Sequence, residues 1–406
     1  MRWQKDLMPF SMPNLNRKFL AGLVAAIVAF SPFAFSQKSE RVAQVNPTDR
    51  QLNMLVLGDS ILWGEGLKTE HKSWYQLQTW LAANTGRAVI ERIEAHAGAV
   101  IEGSDATERA TAADGEVNVA LPTVSEQADR ALRYYKDGSK VDLVLVNGCA
   151  NDIGTQNLLN AAITTDEIQR LTKAKCGAPI ERLLRKITSS FANAHVIISG
   201  YYPFFSEKTR NDFFMKAMAR RFFKDNPGAP KISSKVTLER LTINSKEWYE
   251  TSNKSLAEAV ARVNAELGLS ASRPRVVFAK IHFLPQYSFR ASETHLWGFN
   301  PSPFKRLLVL LSFGKIKLES NDERRKQRNA SCDEFYRLQT GDTPDQKKDR
   351  EQQRLTCRYA ALGHPNRKGA LLYAEAITGQ LKSTISEAGW LRELRACATL
   401  ARAGIE

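Results

Sequence analysis

The chain has 406 residues, 43% of them apolar and 25% charged, with a formal net charge of +15. That length suits one large α/β domain with insertions or two small domains, and that composition excludes wholesale disorder. The charge favours an acidic partner, whether nucleic acid, anionic lipid or acidic polymer, and the compartment decides among them.

Arg17 and Lys18 precede Phe19–Phe35, a run of seventeen residues without charge. Pro32 breaks that run, and Ala34-Phe35-Ser36 places small residues where a signal peptidase reads them. This order predicts a secretory signal over 1–36, with an uncleaved membrane anchor or a buried core helix as alternatives. Sixteen residues precede the basic pair, so Met8 and Met12 are candidate starts. Export, to the periplasm or the outside, removes most of the nucleic-acid reading of the charge and leaves an anionic surface as a partner. Residues 37–50 are polar, contain Pro47, and read as a linker.

From Leu52 onward, short apolar runs alternate with amphipathic stretches. The runs Leu52–Leu57, Ala88–Ile93, Val141–Val146, His195–Ser199 and Val276–Ala279 are rich in β-branched residues and apolar on both faces. They predict parallel strands covered by helices. Trp74–Ala83, Val124–Tyr135 and Ile180–Phe191 predict helices between them, and Lys368–Leu381 a closing helix. The expected fold is therefore a three-layer α/β/α sandwich with a parallel sheet, over 51–383, followed by a tail at 384–406. Two stretches lack strand–helix rhythm and read as insertions, at about 201–274 and 283–355. The aromatic run Phe213–Phe223 has helical spacing, reading as a buried face or, alternatively, an acyl-binding wall. The basic residues around Arg324–Arg328 read as a solvated face, with a site for anionic lipid or acidic glycan as the alternative.

Chemistry collects at the carboxyl ends of the predicted strands, where open parallel sheets bind ligands. The first strand runs into Gly58-Asp59-Ser60. A serine there sits by the N-terminus of the next helix, where N–H groups favour developing negative charge; an ordinary cap serine is the alternative. The second strand ends at His96-Ala97-Gly98, the third at Asn147-Gly148-Cys149-Ala150-Asn151-Asp152. The Asn151 amide could donate to an oxyanion or simply serve a turn. Before the closing helix stands Gly363-His364-Pro365-Asn366, with Pro365 holding His364 extended. His96, His282 and His295 read as structural or surface residues.

Serine, glycine, asparagine and histidine in this order resemble the four blocks of the SGNH (GDSL-like) hydrolases. Trp63-Gly64-Glu65-Gly66-Leu67 after the serine, and Gly369 with Tyr373-Ala374 after His-Pro-Asn, fit the first and last blocks. The resemblance covers about Gln51–Leu381 and implies a flavodoxin-like fold. It also implies that Ser60 attacks an ester carbonyl and His364 takes its proton, with an oxyanion hole from the main chain of Ser60 and Gly98 and the side chain of Asn151. It implies no cofactor and no metal. The family's usual aspartate, three residues before the histidine, is here Ala361. Cys357–His364, Trp297-Gly298 and the arginine-rich stretch before Cys332 resemble a bacterial subgroup that works with a Ser-His dyad and a main-chain carbonyl.

The expectation is thus an exported carboxylic-ester hydrolase acting on a lipid, a small acyl ester or an O-acetylated glycan. The alternatives are an O-acyltransferase using the same acyl-serine and a non-catalytic envelope- or glycan-binding protein. A carbonyl from the Trp297 segment or from the residues just before His364 is expected to hold the imidazole, leaving its pKa near 6.5. Of the five cysteines, Cys332 and Cys357 are expected to pair across a charged loop of twenty-five positions, with two free thiols as the alternative. Cys149, Cys176 and Cys397 allow a second pair and leave an odd thiol.

Overall fold

The five predicted strands all form. They are β1 (Leu52–Leu57), β2 (Val89–Ile93), β3 (Leu143–Val146), β4 (His195–Ser199) and β5 (Val276–Ala279). Every neighbouring pair is parallel, in the order β2-β1-β3-β4-β5. The computed structural model describes residues 51–103, 116–117, 122–212, 215, 233–269, 274–299 and 320–382. The predicted signal, linker and tail lie outside these, as do Cys397 and all of the aromatic run Phe213–Phe223 except Met215.

Between β1 and β3 lie α1 (Ser60–Trp63), α2 (Ser73–Thr85) and α3 (Val124–Tyr135). After β3 come α4 (Ala150–Ile153), α5 (Thr155–Leu158), α6 (Thr165–Cys176) and α7 (Ala178–Ser190), then α8 (Ser234–Glu266) between β4 and β5. The chain ends its described course in α9 (Arg325–Phe335), α10 (Pro344–Arg358) and α11 (Arg367–Gln380). Local signals set several of these boundaries. Thr123 and Glu126 form a capping box on α3, and Thr343 and Gln346 form another on α10, where Pro344 occupies the first turn. Asn366 caps α11 by accepting from Lys368 N and Gly369 N. No described helix is long and apolar enough to cross a membrane.

Side-chain alternation splits the sheet between two cores. Leu55, Leu57, Val144, Val146, Val196 and Ile198 pack in a core with α3, α6, α7 and α8. Met54, Val56, Leu143, Leu145, Ile197 and Val277 pack in a second core with Trp74, Leu77 and Leu81 of α2 and Ile377 of α11. Strands buried on both faces must be apolar at every position, which is why the sequence shows continuous runs. The fold is the expected α/β/α sandwich.

One long element breaks the expected pattern. The region at 201–274 carries α8, 33 residues long, packed along α6 and α7 rather than looping irregularly. Its apolar periodicity is faint because the buried face includes Thr237, Asn244, Ser245, Thr251, Ser252, Asn253 and Ser255 beside Leu241, Trp248, Leu256 and Val263. The charge-rich stretch after Asn321, read from sequence as loop and helix, contains the helices α9 and α10.

The strand order reverses at β1, whose neighbours are β2 on one side and β3 on the other. A crevice opens at such a switch point beyond the carboxyl ends of the strands, here between the turns that follow β1 and β3. Two disulfides pin the neighbouring segments. Cys149–Cys176 joins the start of α4 to the end of α6, and Cys332–Cys357 joins α9 to α10. The second spans 25 positions, so its closure should stabilise the fold by about 3 kcal/mol on the chain-entropy model. Replacing both Cys332 and Cys357 by serine should therefore lower the denaturant midpoint, and an unchanged midpoint would show that the bridge carries no stability.

Candidate active site

Ser60 owes its place to a turn that only glycine can begin. Gly58 adopts φ +143°, and a Cβ there would lie 1.9 Å from Asn147 Oδ1. The buried Gln127 amide closes on the same residue, accepting from Gly58 N at 2.7 Å and donating to Gly58 O at 2.9 Å. Asp59 caps α1. Its Oδ1 accepts from Ile61 N at 2.9 Å and Asn147 Nδ2 at 2.8 Å, and its Oδ2 accepts from the Tyr201 hydroxyl at 2.9 Å. Asp59 N in turn donates to Asn147 Oδ1 at 2.9 Å. Burial raises the Asp59 pKa, and these three donors oppose the rise. Asp59 is thus the structural anchor of the turn.

The turns after β2 and β3 are tied to the first. His96 N donates to Gly58 O at 3.0 Å, and the His96 ring is buried beside the Ala97 carbonyl, in keeping with a structural role. Asn151 donates one amide hydrogen to Ala99 O at 3.0 Å, which leaves the other for a ligand. Asp152 accepts from Ile101 N with both oxygens, at 3.1 and 3.2 Å. On the far side, Ala150 N donates to the Tyr201 hydroxyl at 3.3 Å, linking α4 through Tyr201 to Asp59. Among the described residues, neither Ser60 N nor Gly98 N donates to a protein acceptor.

His364 reaches this cluster from across the chain. Its Nε2 lies 2.7 Å from Ser60 Oγ. Its main chain is clamped by the Trp297 segment, with Trp297 N donating to His364 O at 2.8 Å and Gly363 N to Trp297 O at 2.9 Å. Asn366 adds bonds from Nδ2 to Thr294 O and Leu296 O, and the Tyr202 hydroxyl donates to Gly363 O at 2.8 Å. His295 belongs to this scaffold, stacked on Tyr287 and giving its carbonyl to Asn366 N; His282 is exposed.

The imidazole differs from expectation in two ways. Its Nδ1 is sealed from solvent and completes no hydrogen bond, although the residue as a whole keeps partial exposure. The carbonyls of Ala360, Ala361 and Leu362 face the ring and raise its pKa, but burial and the nearby Arg328 guanidinium outweigh them and hold it down to about 4 rather than 6.5. No carboxylate among the described residues pairs with it.

Arg328 itself corrects the reading of a solvated basic face: it is 0% exposed. Nη1 donates to Glu116 Oε1 at 2.9 Å and Nη2 to Asp322 Oδ2 at 2.6 Å. Glu65 lies 3.6 Å from Nη1 and completes no side-chain hydrogen bond. Burial, with Glu116 close by, drives the Glu65 pKa well up against the pull of Arg328 and Lys72. The cluster abuts Ala361: a Cβ on Gly66 would lie 2.9 Å from Asp322 Cβ, Ala361 Cβ and Trp297 Nε1 alike. Glu65, Glu116, Asp322 and Arg328 escape sequence reading, because nothing marks a charged residue as buried until its partners are known. Among the described residues, no group of three or more His, Cys, Asp or Glu is disposed to hold a metal.

A parallel α/β/α sheet with a serine at the end of its first strand, hydrogen-bonded to a distant histidine, has the architecture of an α/β serine hydrolase. The GDSL-like lipase/acylhydrolase family model matches residues 56–296, more than half of the chain. The chain belongs to that family and is an ester hydrolase. The match stops short of His364. No curated protein matches the chain in sequence. Among solved structures it is similar to an extracellular lipase from Streptomyces rimosus (15% identity, 60% of this chain and 87% of that one, TM-score 0.36). It is also similar to phospholipase A1 from Streptomyces albidoflavus NA297 (13%, 62% and 89%, TM-score 0.34) and to a Clostridium thermocellum family 3 carbohydrate esterase (15%, 57% and 78%, TM-score 0.30).

His364 should titrate at about 4 in the folded protein, against about 6.5 when unfolded. Between those values the unfolded chain binds a proton that the folded one refuses, so this residue removes stability as the pH falls. The His364 ring Cε1 proton, followed by NMR, checks the value, and a midpoint near 6.5 would contradict it.

Proposed function

We propose that the protein is an exported serine esterase working through an acyl-Ser60 intermediate, with His364 as its general base and acid. The observation that carries this reading is the 2.7 Å contact between Ser60 Oγ and His364 Nε2, well within reach for proton transfer. Neutral His364 takes the Ser60 proton as Oγ attacks the ester carbonyl. The tetrahedral oxyanion is met by Ser60 N, Gly98 N and the remaining hydrogen of Asn151 Nδ2. Collapse expels the alcohol, protonated by His364, and water then releases the acid by the same steps in reverse.

The second nitrogen needs an acceptor when the ring becomes charged. The carbonyls of Ala360, Ala361 and Leu362 are the acceptors at hand, so the site acts as a Ser-His dyad without a triad acid. Two disulfides support export, since they persist in oxidising compartments. The order of basic, apolar and small residues over 1–36 supports a cleaved signal, and the charge of +15 suits work at an anionic surface. Carboxylic esters of lipids, of small acyl groups or of acetylated glycans are the substrate class, and no cofactor takes part.

Ser60→Ala should abolish hydrolysis of p-nitrophenyl esters while leaving the fold intact, because the hydroxyl bonds only to His364. Asn151→Ala should lower kcat by about 100-fold or more, the usual loss when an oxyanion donor is removed. Steady-state kinetics with circular dichroism as a folding check decides this, and near-normal turnover in either variant would overturn the mechanism. Product analysis in the presence of an acceptor sugar separates hydrolysis from acyl transfer.

A further inference from the structure

We propose that Asp152 is a positioning residue, whose ionised carboxylate holds the Gly98 loop against α4 and so keeps the oxyanion donors aligned. The inference rests on the reading of Ser60, Gly98 and Asn151 given above. Adjacent residues of α4 grip alternate residues of the loop: Asn151 Nδ2 donates to Ala99 O at 3.0 Å, and the Asp152 carboxylate receives Ile101 N at 3.1 and 3.2 Å. Ala99 and Ile101 are both fully buried. α4 is fixed from behind by Cys149–Cys176 and by the Ala150–Tyr201–Asp59 chain. The loop is held on its other side by α3, where Val124 N donates to Val100 O at 2.8 Å and Ser125 N to Ile101 O at 3.0 Å. Losing the carboxylate should therefore loosen the loop without releasing it.

The carboxylate is also the group that changes state in the working range. Burial pushes the Asp152 pKa up to about 6, against the pull of the Ile101 N–H, of its own main-chain N–H and of Lys175 on α6, while Asp59 raises it further. Beside these stand the Tyr201 hydroxyl, bonded to Asp59, and Glu102 next to Ile101, paired with Arg182 of α7; α6 also carries Asp166, Glu167, Arg170 and Lys173, and α3 carries Glu126, Asp129, Arg130 and Arg133. His364, held down to about 4, is neutral over the same interval. Above about pH 6, Asp152 is ionised and its bond to Ile101 is charge-assisted; below it, protonation weakens that bond. A loss of turnover on going from neutral pH to about pH 5 is thereby separated from the general base, and the Asp152 variants separate it from Asp59 and Glu65, which burial also raises.

The test compares wild type, Asp152→Asn and Asp152→Ala on p-nitrophenyl acetate across about pH 4 to 8. Wild-type kcat should fall with a midpoint near 6. D152N, which offers Ile101 N only the neutral acceptor that protonated Asp152 offers, should show the reduced kcat of the acid form at neutral pH and lose that midpoint, declining further only toward the His364 value. D152A, which leaves Ile101 N without that acceptor, should lose about tenfold in kcat against wild type at neutral pH and lack the midpoint, with KM little changed, as misalignment of donors predicts. The Ile101 amide resonance, read in the full chain with labelled isoleucine, should shift near pH 6 in wild type and not in D152N, whatever the turnover. A D152N profile with the wild-type midpoint, or an Ile101 amide that does not titrate, would overturn the proposal. Absence of any Ser60-dependent turnover in wild type would overturn the catalytic reading itself, a result the Ile101 amide would distinguish.

Discussion

Everything at the site hangs on the buried carboxyl of Asp59. It accepts from Ile61 N, from the Asn147 side chain and from the Tyr201 hydroxyl, and so ties together the carboxyl ends of β1, β3 and β4. A carboxyl taken from water must be surrounded by donors or it destabilises the fold. The three partners meet that need, and each comes from a different strand end. The cost of burying one acid is thereby converted into a fixed geometry: Ser60 at the head of α1, and α4 held one hydrogen bond away through Tyr201 and Ala150 N.

The other half of the site has a different logic. His364 arrives on a segment with no strand of its own, clamped by main-chain bonds to residues 295–297 and capped by Asn366. Where the family carries an orienting aspartate, this chain has Ala361, and beside it lies the Arg328 cluster. A carboxylate at 361 would sit beside Asp322, an anion already paired with Arg328, because a Cβ on Gly66 would lie 2.9 Å from both Ala361 Cβ and Asp322 Cβ. The chain therefore orients its histidine by main-chain contacts and keeps it neutral by burial and by the Arg328 charge. A base kept neutral well below physiological pH needs no counter-ion at rest. In the proposed mechanism the imidazolium formed during turnover would be stabilised less than a carboxylate would allow, a limit that the proposed oxyanion donors would have to offset.

The sheet was legible because strands buried on two faces leave continuous apolar runs, and all five were found within a residue or two. Ser60, Gly98, Asn151 and His364 could be proposed from sequence because each stands in a short motif at a strand end or before the last helix. The structure brings Ser60 and His364 into direct contact, and joins the turns carrying Gly98 and Asn151 to Ser60 by hydrogen bonds. α8 was hidden because serine, threonine and asparagine fill much of its buried face. Arg328 was hidden for a related reason. Its neighbours in sequence are charged and its partners, Glu65, Glu116 and Asp322, are scattered along the chain, so only the folded chain reveals a buried cluster. Tyr201 and Gln127 were unreadable on the same ground: a buried polar side chain announces nothing about its role until its partner is seen.

The central claim is that Ser60 is the nucleophile and that three donors converge on the oxygen of its adduct. The most direct measurement is a crystal structure of the full chain after reaction with a fluorophosphonate ester. The expected result is a phosphorus atom bonded to Ser60 Oγ, with its phosphoryl oxygen about 3 Å from Ser60 N, Gly98 N and Asn151 Nδ2. An unmodified Ser60, or a phosphoryl oxygen turned away from those donors, would contradict it.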